Sequence, residues 1–176
     1  MKTLILALSA LLAAPAVAQV SGSINRNAPT VDHSITMNND AKDKIHVSYT
    51  AIAFGEGQWQ AMKDNKDMHE RFNKGAESKP IGKVSSSMPL MVAGKEVPAG
   101  DYKMFFSLHE QAGWLLNVKN DDNHVMWRLV LSETDHNHKR MHISLTPADA
   151  ADQCNLTIAF GNQMVSVPVA PAKKEG

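Results

Sequence analysis

The segment Asp135-His136-Asn137-His138, followed by His142, carries the side chains with the sharpest chemical potential in the chain. Histidines at i and i+2 of an extended segment project to one side, so one metal ion can take both imidazoles, and His142 shares their parity. Further ligands would come from His33, His46, His109 or His124. Zinc suits imidazole, and ten methionines beside eight histidines bring copper into consideration as well. Lys139 and Arg140 lie next to these histidines and would repel a cation, so the competing reading is a solvated polar loop leading into a strand. A blue-copper centre needs a histidine near and commonly after its cysteine, and none follows Cys154.

A second constellation gathers Glu56, His69, Glu70, Arg71 and Glu77 around the one stretch that reads as helical. If His69, Arg71 and Glu77 lined a pocket, Arg71 would hold an anion and Glu77 or His69 would move a proton. The competing reading is a charged helix face in water. Serine hydrolase chemistry finds no G-x-S-x-G elbow, and Ser85-Ser86-Ser87 sits in a polar stretch without a partner base. Cys154 is the only cysteine, which excludes an internal disulfide, and its alternation with Leu156, Ile158 and Phe160 makes it a buried structural thiol.

The elements that must position these groups are mostly strands. Val31 to Met37 and Ile45 to Ala53 alternate with period two and pair as a hairpin across a polar turn. Gly57 to Phe72 is rich in helix formers and is the one helical candidate, with Asn65 where an apolar residue would fit. Ser78 to Ser87 reads as a polar connection, and Met88 to Val92 as a short strand interrupted by Pro89, which suits an edge or a strand start. Asp101 to Leu108 sets Tyr102, Met104, Phe106 and Leu108 against a second face, and Trp114 to Lys119 returns after a turn at Glu110 to Gly113. Burying each such large apolar side chain contributes roughly 1.5 to 3 kcal/mol, so this hairpin is the frame for the rest. Val97-Pro98-Ala99-Gly100 is a turn in which Gly100 takes positive φ.

Beyond it, Asn120 to Asn123 is a turn and Val125 to Leu131, apolar on both faces, reads as a central strand. Ser132 to Lys139 is polar, Met141 to Leu145 is a strand, and Cys154 to Phe160 returns to Met164 to Val169 through a turn at Gly161-Asn162-Gln163. The pattern predicts a mainly β protein: an antiparallel β-sandwich or open barrel with at most one short helix.

Met1 to Ala18 has the basic start, apolar run and A-x-A end of a secretory signal peptide cleaved after Ala18. Residues 19–30 form an extended lead-in, 31–170 a single β domain, and 171–176 a disordered tail. No later run is long and apolar enough to span a bilayer. Lys and Arg balance Asp and Glu at 18 each, which gives no electrostatic case for nucleic acid or for anionic lipid. The product is therefore expected to be periplasmic or secreted, and monomeric or weakly oligomeric.

The run Gly94-Lys95-Glu96-Val97-Pro98-Ala99-Gly100-Asp101-Tyr102, followed by an apolar strand and a Trp-bearing strand, resembles the bacterial secreted family known as domain of unknown function 2911. Arg71 with Gly75-Ala76-Glu77 is similar to that family's Arg, Gly-Ala and acidic segment, and Leu156 to Gly161 to its closing strand. The likeness covers about two thirds of the chain. It departs from the family where an Arg-Pro pair would follow Thr50, where a Trp would precede Arg71 and where an Asn would follow Gly75-Ala76. The resemblance implies export and no particular activity. Three readings follow: a non-catalytic module binding a small ligand, envelope component or protein partner; a zinc or copper protein using His136, His138 and His142; and an enzyme with Arg71 and Glu77 in its pocket.

Overall fold

A computed structural model describes residues 27–37, 42–55, 62, 64–150 and 152–172. The expected signal peptide, most of the lead-in, the turn around Asn38 to Ala41, the start of the helical candidate with Glu56 and Trp59, and the tail from Lys173 lie outside these residues.

Ten strands and one helix make up the described fold: β1 (Thr30–Thr36), β2 (Lys44–Thr50), α1 (Lys66–Ser78), β3 (Gly82–Ser86), β4 (Leu90–Val92), β5 (Lys95–Val97), β6 (Gly100–His109), β7 (Gly113–Lys119), β8 (His124–Arg128), β9 (Ser132–Pro147) and β10 (Cys154–Pro171). They form two antiparallel sheets, one of order β1-β2-β3-β6-β7-β8 and one of order β5-β4-β10-β9. Neither closes into a barrel, and the architecture is a β-sandwich with one short helix. Two-period alternation explains why: Tyr102, Met104, Phe106, Leu116, Val118 and Trp127 turn inward from the larger sheet to meet Leu90, Val92, Ile143, Leu156, Val167 and Val169 of the smaller one. Trp127 also donates its indole N–H to the Val92 carbonyl at 2.7 Å, tying the two sheets across the core. A cavity of about 40 Å³ with a wholly hydrophobic lining apart from Tyr102 remains between the layers.

The corner between β5 and β6 passes the chain from one sheet to the other. Gly100 takes φ 145° there, and the Tyr102 hydroxyl donates to the Pro98 carbonyl at 2.8 Å. The β1–β2 and β6–β7 hairpins pair as expected, with Ile35 opposite Ile45 and Phe106 opposite Leu116.

Five expectations need correction. The helix runs Lys66–Ser78, well beyond Phe72, because Asn65 is its cap: its side chain accepts the Asp67 N–H at 3.0 Å, and Pro80 bars extension past Lys79. Gly82–Ser86, read as part of a connection, is an inner strand of the larger sheet, short and hidden by its Ser and Lys outer face. The Val125–Leu131 strand ends at Arg128 and lies at a sheet edge, with Met126 exposed and its carbonyl capped by the Lys95 ammonium at 2.6 Å. Ser132 to Lys139 is the first half of β9, held by β10 although both its faces meet water. Gly161-Asn162-Gln163 is no turn: β10 continues through it, and Gly161, at φ 63°, bends the strand where its register with β9 shifts. The ring of Phe54 lies against Gly161, where a Cβ would come within 2.5 Å of it.

Candidate functional site

Helix α1 packs beside β6 of the larger sheet. Its half-buried stripe, Met68, His69, Phe72, Asn73 and Ala76, follows helical spacing, and Phe72 meets Trp114 edge to face at 5.4 Å between centroids. Asn73 fixes the helix: its amide donates to the Leu108 carbonyl at 3.0 Å and accepts the Leu108 N–H at 2.8 Å. Strand β3 pairs with β6 only as far as Met104, so beyond that point Asn73 takes the place of a neighbouring strand. Ion pairs bracket the helix, Lys66 to Glu110 at one end and Glu77 to Lys119 at the other.

At the foot of α1 several polar groups converge. Asn117 faces the solvent side of the sheet yet is only 2% exposed. Its amide N–H donates to the Ser107 hydroxyl at 2.9 Å, which leaves its carbonyl oxygen to accept from His124 Nε2 at 3.0 Å. This network assigns the His124 proton to Nε2. The His124 ring in turn stacks on Phe105 at 6.2 Å. Glu77 completes the group: the hydrogen bond and charge of Lys119, with smaller contributions from His124 and Lys103, hold its carboxyl below the usual carboxylate range against a weak opposing effect of burial. An amide, an imidazole, ammonium groups and a carboxylate are thus held together beside the helix. Such a set can fix a polar ligand by hydrogen bonds and charge.

The expected pocket of His69, Arg71 and Glu77 is not assembled in this form. Residues two apart on a helix do not face one another. Arg71 is exposed, His69 turns toward the sheet with its Nε2 buried and unpartnered, and Glu77 alone joins the cluster at the helix foot.

His136 and His138 lie in the first half of β9, in the smaller sheet. His136 and His138 stand 4.5 Å apart between ring centroids, and His138 stacks on His142 at 6.2 Å. His33 of β1 meets the edge of His142 at 6.1 Å and stacks on Tyr49 at 6.4 Å, with its own Nε2 buried and unpartnered. Burial, then the neighbouring His136 and His142, lower the pKa of His138. Among the described residues no group of three or more His, Cys, Asp or Glu is placed to hold a metal ion. Cys154 is fully buried, and burial pushes its thiol up to about 11.

A third arrangement was not anticipated from sequence. On the outer face of β1 and β2, Ser34 Oγ meets His46 Nδ1 at 2.8 Å, and His46 Nε2 meets Asp32 at 3.3 Å. The order of groups is that of a proton relay. It lies on a flat, exposed face, with the Asp32 side chain 59% accessible, so water competes for every one of its bonds. Antiparallel register explains it, since Ser34 faces His46 directly and Asp32 lies diagonally across.

Compared with protein-family models, with curated proteins and with solved structures, the chain finds no match. The reading of function therefore rests on the side chains themselves.

Proposed function

We propose that this protein is a non-catalytic binding module, exported from a bacterial cell, that holds a small ligand or envelope component on the outer face of its larger sheet at the foot of α1. The observation that carries this is Asn117: a buried polar side chain on the solvent side of a sheet, bonded to both Ser107 and His124. Burying such a group is costly unless its bonds are made, and here they orient an imidazole toward a surface that also presents Lys119 and Glu77. The small apolar interior supports the same location, because 40 Å³ falls far below the several hundred Å³ of ordinary ligand pockets. Export rests on the signal-peptide pattern of Met1 to Ala18 and on the likeness to the secreted family around Pro98 to Tyr102. No helix among the described residues is long and apolar enough to cross a membrane.

The test is amide chemical-shift mapping of the mature chain against a panel of anionic, neutral and cationic small molecules. Saturable shifts centred on Lys103, Asn117, Lys119 and His124 support the reading, and unchanged recovery of the bound compound supports the absence of turnover. Shifts confined to another face, or none with any class, refute it.

A second reading, metal binding, is favoured by the 4.5 Å approach of His136 to His138. With metal–nitrogen bonds near 2.0 to 2.1 Å, two imidazoles at that separation can share one ion, while His142 would have to move inward to join. Thermal shift with zinc and copper, repeated on His136→Ala and His138→Ala, decides it: identical shifts in all three proteins rule this reading out.

A further inference from the structure

The geometry points to a ligand bearing two phosphate groups, bound by the row Lys83, Lys103, Lys119 and His124; this inference rests on the binding reading above. Register places Lys83 opposite Lys103, Lys103 opposite Lys119, and Lys119 opposite His124. The four side chains stand abreast on neighbouring strands and share the outer face. With strands about 4.8 Å apart, the row spans roughly 14 Å.

Like charges directly opposed destabilise a sheet, so an arrangement of three lysines calls for counter-charge. Within the described residues the row receives one carboxylate, from Glu77 to Lys119. Lys83 and Lys103 are exposed and make no ion pair among the described residues. Asp101 lies on the same face two residues from Lys103, opposite Ser85, and counts against the row. Glu77 and the exposed turn residues Asp121 and Asp122 offset the charge at the Lys119 end, while at the other end Lys83 and Lys103 against Asp101 still leave positive charge. The C-terminal end of α1 explains a cation at Lys119 and, through Glu77, reaches Lys103, but a helix terminus acts only within about its last turn, which leaves Lys83 unaccounted for.

The spacing selects the ligand. Neighbouring lysines lie far enough apart to take separate phosphates and close enough for one phosphate to accept from two of them. Lysine suits phosphate as a flexible point charge rather than a planar fork. A row this short on a chain with balanced charge does not provide the extended positive surface a nucleic acid needs. Inorganic diphosphate and a lipid headgroup with two phosphates, such as cardiolipin, share the chemistry and are separable by experiment.

The experiment is calorimetric titration of the mature protein at low salt with inorganic diphosphate, alongside flotation with cardiolipin or phosphatidylcholine vesicles. Saturable diphosphate binding is expected, weakened about fivefold by Lys83→Gln or by Lys103→Gln, the loss of one charge-assisted contact. Glu77→Gln removes the internal competitor and tightens binding. Gln153→Ala, exposed in the loop between β9 and β10, leaves it unchanged. Binding to cardiolipin vesicles alone, with the same variant pattern, assigns the lipid as the source of the phosphates. Binding of either ligand that ignores Lys83→Gln and Lys103→Gln overturns the inference, as does binding of citrate without diphosphate. A neutral or cationic compound shifting Asn117 and His124, with no response to diphosphate or cardiolipin, overturns the inference while the binding module stands. Silence from every class overturns both.

Discussion

Replacing Asn73 with alanine tests how the helix is held and, through it, how the site at its foot is positioned. Asn73 makes two hydrogen bonds to one backbone unit, to the Leu108 carbonyl and from the Leu108 N–H, both partly buried. Each such bond contributes roughly 0.5 to 1.5 kcal/mol net, and each partner left unsatisfied under the helix costs about 1 to 3 kcal/mol. Water that enters as the helix loosens would recover part of this, so a loss of about 2 to 3 kcal/mol is expected. Asn73→Asp gives a sharper comparison, since a carboxylate still accepts the Leu108 N–H but opposes its carbonyl. Urea unfolding measures the totals, and native-state hydrogen exchange locates them: the Leu108 amide should lose protection in Asn73→Ala while Leu115, opposite Ser107 in the β6–β7 ladder, keeps its own. A stability change below about 0.5 kcal/mol with the Leu108 amide still protected would refute the strand-mimic account.

Gly82→Ala should be costly, because a Cβ there would lie 2.3 Å from the Ser48 carbonyl oxygen. Backbone of β2 and β3 must part to admit it, and a loss of at least about 2 kcal/mol by urea or thermal unfolding is expected. Cys154 should resist a thiol reagent at pH 8 in the native protein and react at the unfolding rate, since it is fully buried and its thiol is pushed up to about 11; rapid native labelling would contradict this. His138 gives a pH signature. Its pKa is lowered by burial and then by His136 and His142, so on acidification the unfolded chain takes up the proton first. The stabilisation is present above the ordinary histidine range and is lost as pH falls through about 6.5. Melting temperature should therefore drop between pH 8 and pH 5, and His138→Gln should flatten that drop; an unchanged slope would remove His138 as its cause.

Strands with one face in the core and one in water were legible, because alternation of Tyr102, Met104 and Phe106 with Lys103 and Ser107 has one physical cause. Those that failed lacked that contrast. Ser132 to Lys139 is wet on both faces, so only its hydrogen bonds to β10 make it a strand, and those depend on a partner distant in sequence. Gly161 to Gln163 has turn composition but serves a bend, since β10 needs both β9 and β4 along its length. Asn65, which breaks the apolar periodicity, is the signal that was present and misassigned: an Asn at that point is a cap. At the site, Glu77 was visible as a charged residue of interest. Its partners could have been reached too. The turns at Glu110 to Gly113 and Asn120 to Asn123 fix the pairing of Lys103 with Lys119 and of Lys119 with His124, while Lys83 needs the β3–β6 register.

The proposed placement of the binding site on an outer face rests on the uneven sizes of the two layers. Six strands face four, and among the described residues aliphatic and aromatic side chains line an inner cavity of about 40 Å³. The four-stranded layer therefore uses the larger sheet's inner face for stability, and the opposite face is free to be polar. A bare polar sheet would bind little, because water reaches every group equally, as it does around Asp32, His46 and Ser34. On β6 and β7 the situation differs. Ser107 and Asn117 are buried there, so their bonds hold and fix His124, while Glu77 of α1 fixes Lys119. The same sheet thus carries two polar constellations of comparable chemistry, and the proposed binding reading favours the one whose supporting amide and hydroxyl are buried.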